Sequence, residues 1–138
     1  MTLETYIRAQ MARFAIEEGG RHGGVTNMLA IAMVLRNRVF AGWGDWVEVI
    51  ARAPEKRGTV YKDGEQIATR MLRSTAARTL LNRIDEVYAR PDLEDLTGGA
   101  LFYVHPGENV SDWFKREIID RPDDHERTAH IGPVWFFK

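Results

Sequence analysis

Residues 11–20 read MARFAIEEGG, and they end an apolar helical stripe with a carboxylate. The apolar members of the stripe follow one another at spacings of four, four and three residues: Leu3, Ile7, Met11 and Phe14. The next member, four residues on, is Glu18. Residues at these spacings share one face of a helix, so the sequence places the Glu18 carboxyl at the edge of an apolar interior. Such surroundings disfavour the charged form of a carboxyl group, as a general acid near neutral pH requires.

The neighbouring acid, Glu17, lies about 100° around the helix from Glu18. It follows Arg13 by four residues, and we interpret it as a solvated ion-pair partner of that arginine. The helix itself is predicted over residues 3–18, with Thr2 as N-cap and Gly19 as the C-terminal stop. Glu18 is therefore the candidate catalytic residue of the pair.

The bulk composition excludes several classes of function. The chain has 138 residues and no cysteine, which predicts a single domain, residues 1–138, without thiol chemistry. Its 19 basic and 20 acidic side chains give a net charge of −1, which argues against a nucleic-acid partner. We also expect no signal peptide and no membrane span, hence synthesis in the cytoplasm and action elsewhere only after delivery by another route.

A second helix is predicted after an N-cap at Thr26 or Asn27. Its run 28–35 is apolar on every face, which indicates a buried central helix. Asn37 follows that run and has two interpretations: it positions a substrate, or it satisfies neighbouring backbone groups. Residues 47–51 predict a short helical turn, and residues 65–89 predict two helices, the second capped by Ser74, or one bent helix.

The last third of the chain has extended aromatic runs in place of helical patterns. Two extended aromatic runs, residues 100–105 and 130–137, are predicted to pair as a small antiparallel ribbon, and residues 121–127 to form loop or short helix. The expected fold class is mainly α (α+β), a helical domain with a small antiparallel β-ribbon near the C-terminus.

Tryptophans and histidines supply the other candidate groups. Trp43 lies among glycines and Trp113 in the last third; exposed indoles stack on sugar rings, although tryptophans also serve as lids over a core. The four histidines lack metal-ligand spacing, so no metal and no cofactor is expected. A semi-buried acid with glycine-rich loops and aromatic residues is typical of a polysaccharide cleft.

Four motifs of this chain resemble the SleB-type cell wall hydrolase family, which includes spore cortex-lytic enzymes, and they follow one another in the same order as in the family. Residues 11–19 are similar to the family's opening helix, Leu-Ala-Arg-x-Ile-x-Gly-Glu-Ala, with Glu18 on its catalytic acid. Residues 27–39 resemble Gly-Gln-x-Ala-Val-Ala-x-Val-x-x-Asn-Arg-Val. Residues 96–103 resemble Pro-Thr-x-Gly-Ala-x-x-Tyr, and residues 128–137 resemble Ile-Gly-x-His-x-Phe-Tyr.

The resemblance implies a lysozyme-related fold and cleavage of peptidoglycan between N-acetylmuramic acid and N-acetylglucosamine. In the family this is lytic transglycosylation, which gives a 1,6-anhydro end. This chain departs from the pattern at three positions: the family's second Glu falls near His22, its terminal His matches Val134 and its last Tyr matches Phe137. His105 or His130 is the expected substitute for the missing histidine.

The sequence offers only one carboxyl with good support as the catalytic group. This favours lytic cleavage over hydrolysis, because glycoside hydrolysis normally needs two carboxyls. Asp45 and Asp112 are the next candidates, but neither follows an apolar stripe. The sugar pocket is expected to use Tyr103, His105, Asn37 and Gly99, with Trp43 or Trp113 stacking on a ring. The expected partner is the peptidoglycan glycan strand.

Two alternatives stay open beside the lytic enzyme. One is a muramidase-type hydrolase, and the other is a non-catalytic glycan-binding or assembly module. The missing signal peptide, together with the absence of a wall-anchoring segment, is typical of an endolysin or virion enzyme of phage origin.

Overall fold

A computed structural model describes residues 2–19, 24–53, 75–107 and 110–138 of this chain. The helices are α1 (Leu3–Gly19), α2 (Gly24–Phe40), α3 (Trp46–Ala51), α4 (Thr75–Ala89) and the short α5 (Asp112–Phe114), which continues as a π-helical turn, Lys115–Ile119. The strands are β1 (Phe102–Val104), β2 (Arg127–Ile131) and β3 (Val134–Phe137). The predicted helical stretch 65–74, with its cap at Ser74, and His22 lie outside the described residues.

The first helix forms as predicted. The Oγ1 of Thr2 accepts a hydrogen bond from the Thr5 amide at 3.1 Å, so Thr2 is the N-cap. The stripe members from Ile7 to Phe14 are buried, whereas Leu3 is 66% exposed. The buried stripe therefore begins one turn later than the pattern predicts, and it ends one turn before Glu18.

The second helix begins earlier than predicted. Gly24, with φ at +65°, opens α2, so the predicted N-caps at Thr26 and Asn27 are wrong, since both residues lie within its first turn. Every residue from 29 to 35 is buried, which confirms the buried central helix. The helix also continues past its polar residues to Phe40, because the side chains of Arg36 and Arg38 reach carbonyl groups of the 90–101 segment.

Two further helices cover the central helix. The predicted turn at 47–51 is α3, and a capping box begins it: the Glu48 amide donates to Asp45 Oδ1 at 2.9 Å, and the Glu48 carboxylate accepts from the Asp45 amide. The described part of the 65–89 segment is α4, which buries Leu80, Ile84 and Val87 against the core.

The C-terminal third forms a three-stranded antiparallel sheet in the order β1-β3-β2. The predicted pairing of the two aromatic runs is confirmed, since Tyr103 lies opposite Phe136. The run 130–137 is not one strand, however, because Gly132, at φ +55°, turns the chain between β2 and β3. The prediction of loop or short helix over 121–127 is accordingly wrong at Arg127, where β2 begins.

The sheet has two covered faces. Tyr103, Val134 and Phe136 point towards the helices and belong to the main core. Phe102 and Phe137 point the other way, onto a smaller cluster closed by Phe114 and Ile118, together with other side chains. The fold is thus α+β, mainly helical with a small antiparallel sheet. No helix among the described residues is long and apolar enough to cross a membrane.

Candidate functional site

The last turn of α1 is joined to the end of β1 by one hydrogen bond. The Nε2 of His105 lies 2.9 Å from the backbone oxygen of Glu18. A carbonyl oxygen only accepts, so the imidazole nitrogen is the donor, and it satisfies one of the carbonyl groups that a helix leaves open at its C-terminus. The half-buried Glu18 is therefore anchored through its backbone to the sheet.

Tyr103 lies on the same side of β1 as His105, two residues earlier. Its ring meets that of Phe14 edge to face, with centroids 6.5 Å apart, and Phe14 is one helical turn before Glu18. Phe14 and Glu18 of α1 therefore face Tyr103 and His105, respectively. Tyr103 is 2% exposed, so it packs beneath the site and does not line an open cleft. The structure brings together the predicted site residues Glu18, Tyr103 and His105.

The two tryptophans lie on the other face of the sheet. The Trp43 ring is 5.5 Å from that of Phe102, which points away from Tyr103, and its centroid is 5.0 Å from the Arg38 guanidinium carbon. Trp113 contacts Phe114 of the smaller cluster, at 6.5 Å between centroids. Both indoles are nearly half exposed, yet these contacts make them partial lids over that cluster. Stacking of Trp43 or Trp113 on a sugar stays a prediction.

The position that corresponds to the terminal histidine of the SleB-type pattern lies in the core. Val134, at that position, is fully buried in the main core. Of the two expected substitutes, His130 faces Trp135 on the outer side of the sheet, at 6.2 Å between ring centroids. His105, the other residue predicted as a substitute, contacts the backbone oxygen of Glu18.

Asn37 and Gly99 both donate hydrogen bonds to the carboxylate of Asp95, a residue that the sequence did not indicate as part of the site. The Asn37 Nδ2 donates to Asp95 Oδ2 at 2.8 Å and to the Ala100 oxygen at 3.0 Å, and the Gly99 amide donates to the same Asp95 oxygen at 2.9 Å. These bonds fix the turn that leads into β1. They agree with the second interpretation of Asn37, as a group that satisfies its neighbours; substrate contacts by Asn37 and Gly99 stay predictions.

The carboxylate of Asp95 also bonds to Thr97. Its Oδ1 accepts from the Thr97 hydroxyl at 2.7 Å and from the Thr97 amide at 2.8 Å. Burial favours the neutral acid, but these bonds, with those from Asn37 and Gly99, outweigh it and lower the pKa of Asp95 below its ordinary value of 3.8. The pattern Asp-x-Thr is typical of a side chain that caps its own turn, and it was the available signal for this residue.

A pH dependence of stability follows from Asp95. A carboxyl with a lower pKa in the folded state stabilises the fold above its unfolded pKa, and this contribution is lost as the pH falls through the folded pKa. We expect the free energy of unfolding of the wild type to fall towards that of Asp95→Asn below about pH 4. Urea denaturation of both proteins at a series of pH values measures the difference. A difference that stays constant down to about pH 2, roughly two units below the ordinary pKa of an aspartate, would contradict the role of the Asp95 charge.

The other acids have local structural roles. Glu17 pairs with Arg13, with 3.2 Å between Oε1 and Nε, as predicted, but the arginine side chain is only 7% exposed, so the pair is more buried than a solvated one. Asp45 caps α3. Asp112 lies exposed in the first turn of α5. Among the residues that the structure describes, no group of three or more histidine and acidic side chains could hold a metal ion.

Comparisons with known proteins give no relative of this chain. No family model, no curated protein and no solved structure matches it. The resemblance to the SleB-type family therefore depends on the four sequence motifs alone.

Proposed function

We propose that this protein cleaves peptidoglycan glycan strands between N-acetylmuramic acid and N-acetylglucosamine by lytic transglycosylation, with Glu18 as the single general acid and base. The observation that carries the proposal is the position of Glu18, which lies one turn after the last buried member of an apolar stripe and is held to the sheet through its backbone by His105. The resemblance to the SleB-type motifs supports the same assignment, because it aligns Glu18 with the catalytic acid of that family.

The chemistry requires two proton transfers at one carboxyl. Glu18 first protonates the oxygen of the leaving sugar. As a carboxylate it then takes the proton from the 6-hydroxyl of the muramic residue, whose oxygen attacks the anomeric carbon and closes the anhydro ring. No cofactor is needed. Asp45 and Asp112 occupy the starts of their own helices, which favours this single-acid route over a muramidase-type hydrolysis with two carboxyls.

Tyr103 and His105 are the supporting groups at the site. His105 fixes the Glu18 backbone, and Tyr103 packs beneath through the ring of Phe14. Since positioning of the reacting groups accounts for much of an enzyme's rate, a rigid strand behind the acid favours catalysis. Delivery to the wall, by phage lysis, in a virion or otherwise, is part of the proposal.

A second candidate is a non-catalytic glycan-binding module of the same fold. The specific observation in its favour is that the exposed Trp43 and Trp113 lie on the face of the sheet opposite Tyr103, and that a buried valine occupies the family's histidine position. Such a module would bind glycan strands whether or not Glu18 is intact.

Mass spectrometry of digested peptidoglycan tests the proposal. Purified peptidoglycan incubated with the wild-type protein is expected to yield muropeptides with a 1,6-anhydro end, lighter by one water molecule than the products of hydrolysis. Fully hydrated products would instead show a muramidase. Binding to insoluble peptidoglycan with no soluble product at any pH would show the non-catalytic module and overturn the proposal.

A further inference from the structure

Two nitrogen-bearing side chains lie against one tryptophan on the outer face of the sheet. The guanidinium carbon of Arg127 is 5.0 Å from the centre of the Trp135 indole, a cation–π distance, and the His130 imidazole meets the same ring edge to face at 6.2 Å. Arg127 and His130 are both exposed. In the described parts of the chain no carboxylate pairs with Arg127, unlike Arg116 and Arg121, which each pair with an acid. Arg127, His130 and Trp135 form the Trp135 cluster, an exposed group of donors without an acidic partner for its arginine.

The Trp135 cluster lies at the end of the sheet to which Glu18 is anchored. Trp135 is the register partner of Val104 in β1 and of His130 in β2, so these three residues form one row across the sheet. The residue after Val104 is His105, which donates to the backbone oxygen of Glu18. Since neighbouring strands are about 4.8 Å apart, the backbones of Val104 and His130 are separated by about 10 Å. The cluster is therefore level with the Glu18 contact along the strands, on the opposite face of the sheet.

The residues that border this end of the sheet are exposed. Gly132 and Pro133 turn the chain between β2 and β3, and Pro106 and Gly107 follow β1; all four are exposed to solvent. The two faces of the sheet therefore meet here at an accessible edge, with Glu18 anchored on one side and the Trp135 cluster on the other.

We infer that the Trp135 cluster is a subsite for the peptide stem of peptidoglycan, an inference that rests on the proposed function. The stem is attached to the lactyl group of the muramic residue, the sugar on which Glu18 acts, and it bears free carboxylates. The Arg127 guanidinium pairs with such a carboxylate through two parallel N–H···O bonds, and His130 supplies a further ring N–H donor. Stacking on the indole holds the guanidinium plane in one orientation. An extended stem of about four residues spans about 14 Å, enough to cross the exposed edge of the sheet.

Two soluble substrates that differ only in the stem test this subsite: glycan strands with their peptide stems, and the same strands after an amidase has removed them. For the wild-type protein we expect kcat/KM for anhydro products to be about fivefold higher with stems than without, the scale of an ion pair that stays partly in water. Arg127→Gln is expected to bring the ratio of the two kcat/KM values close to one, and Arg127→Lys, which keeps the charge but not the planar fork, to an intermediate ratio. Arg83→Gln removes an equally exposed arginine on α4 and is the matched control, expected to keep the wild-type ratio.

Binding measured without turnover separates the subsite from the proposed function. A soluble stem-bearing muropeptide is titrated calorimetrically into Glu18→Gln protein, with and without Arg127→Gln, and we expect about fivefold weaker binding in the double variant. Amidation of the stem carboxylates is expected to weaken binding to the Glu18→Gln protein by a similar factor. Equal affinities in these comparisons, or a wild-type kcat/KM ratio in Arg127→Gln, overturn the subsite. Stem binding that depends on Arg127, in a wild-type protein that releases no product, supports the subsite and overturns the lytic function alone.

Discussion

Glu18→Gln is expected to lower the rate of product release from peptidoglycan about 10²–10⁴-fold or more. This is the usual contribution of a general acid and base to the rate of an enzymatic reaction. Glutamine keeps the size of the side chain but has no acidic proton to give, and it cannot take one from the muramic hydroxyl. The fold is expected to persist, because the contact of His105 is with the backbone oxygen of residue 18 and not with its carboxyl.

Glu17→Gln is the matched control. It changes the same functional group one position earlier, where the carboxylate pairs with Arg13, and we expect near wild-type release with a small loss of thermal stability. Chromatography of soluble muropeptides measures release in all three proteins, and circular dichroism reports whether each is folded. A folded Glu18→Gln protein with undiminished release would show that another group performs the chemistry.

Asp95→Ala is expected to destabilise the protein by about 2 kcal/mol, because a half-buried network of hydrogen bonds loses its charged acceptor. The substitution leaves the amides of Thr97 and Gly99 without their acceptor and removes one of the acceptors of Asn37. It also loosens the turn into β1, so His105 and thus Glu18 lose part of their support.

The control for that experiment is Asp92→Ala. Asp92 lies three residues earlier, is exposed, and approaches Arg90 at 3.6 Å, a surface pair that contributes about 0–1 kcal/mol. Urea denaturation of both variants gives the two free energies of unfolding. Equal losses for the two aspartates would mean that the network around Asp95 adds nothing to the stability of the fold.

The helical part of the fold could be predicted because its signals are local. Helical spacing predicts the stripe of α1 that is buried from Ile7 to Phe14, and an uninterrupted apolar run predicts α2 as the central helix. The start of α2 was missed because Thr26 and Asn27 are good capping residues, and capping preference does not reveal that Gly24 can begin the helix two residues earlier.

The sheet and the remaining site residues depend on contacts between distant segments. Residues 130–137 read as one aromatic strand, and only the positive φ of Gly132 divides them into a hairpin. Alternation along β1 sends Phe102 and Tyr103 to opposite faces, but the sequence does not show that Phe114 covers the outer one. The Asp95 network was missed for the same reason, since its partner Asn37 lies 58 residues away.

The strand order has a consequence for how the protein folds. The middle strand, β3, is the last of the three along the chain, so β1 has no strand partner until the following thirty or so residues have been ordered. The α1–α2 pair needs only short loop closure, whereas the bond from His105 to Glu18 spans 87 residues. Pairings of such high contact order form slowly. The helices are thus expected to assemble early, and the arrangement around Glu18 to be completed in the final step of folding.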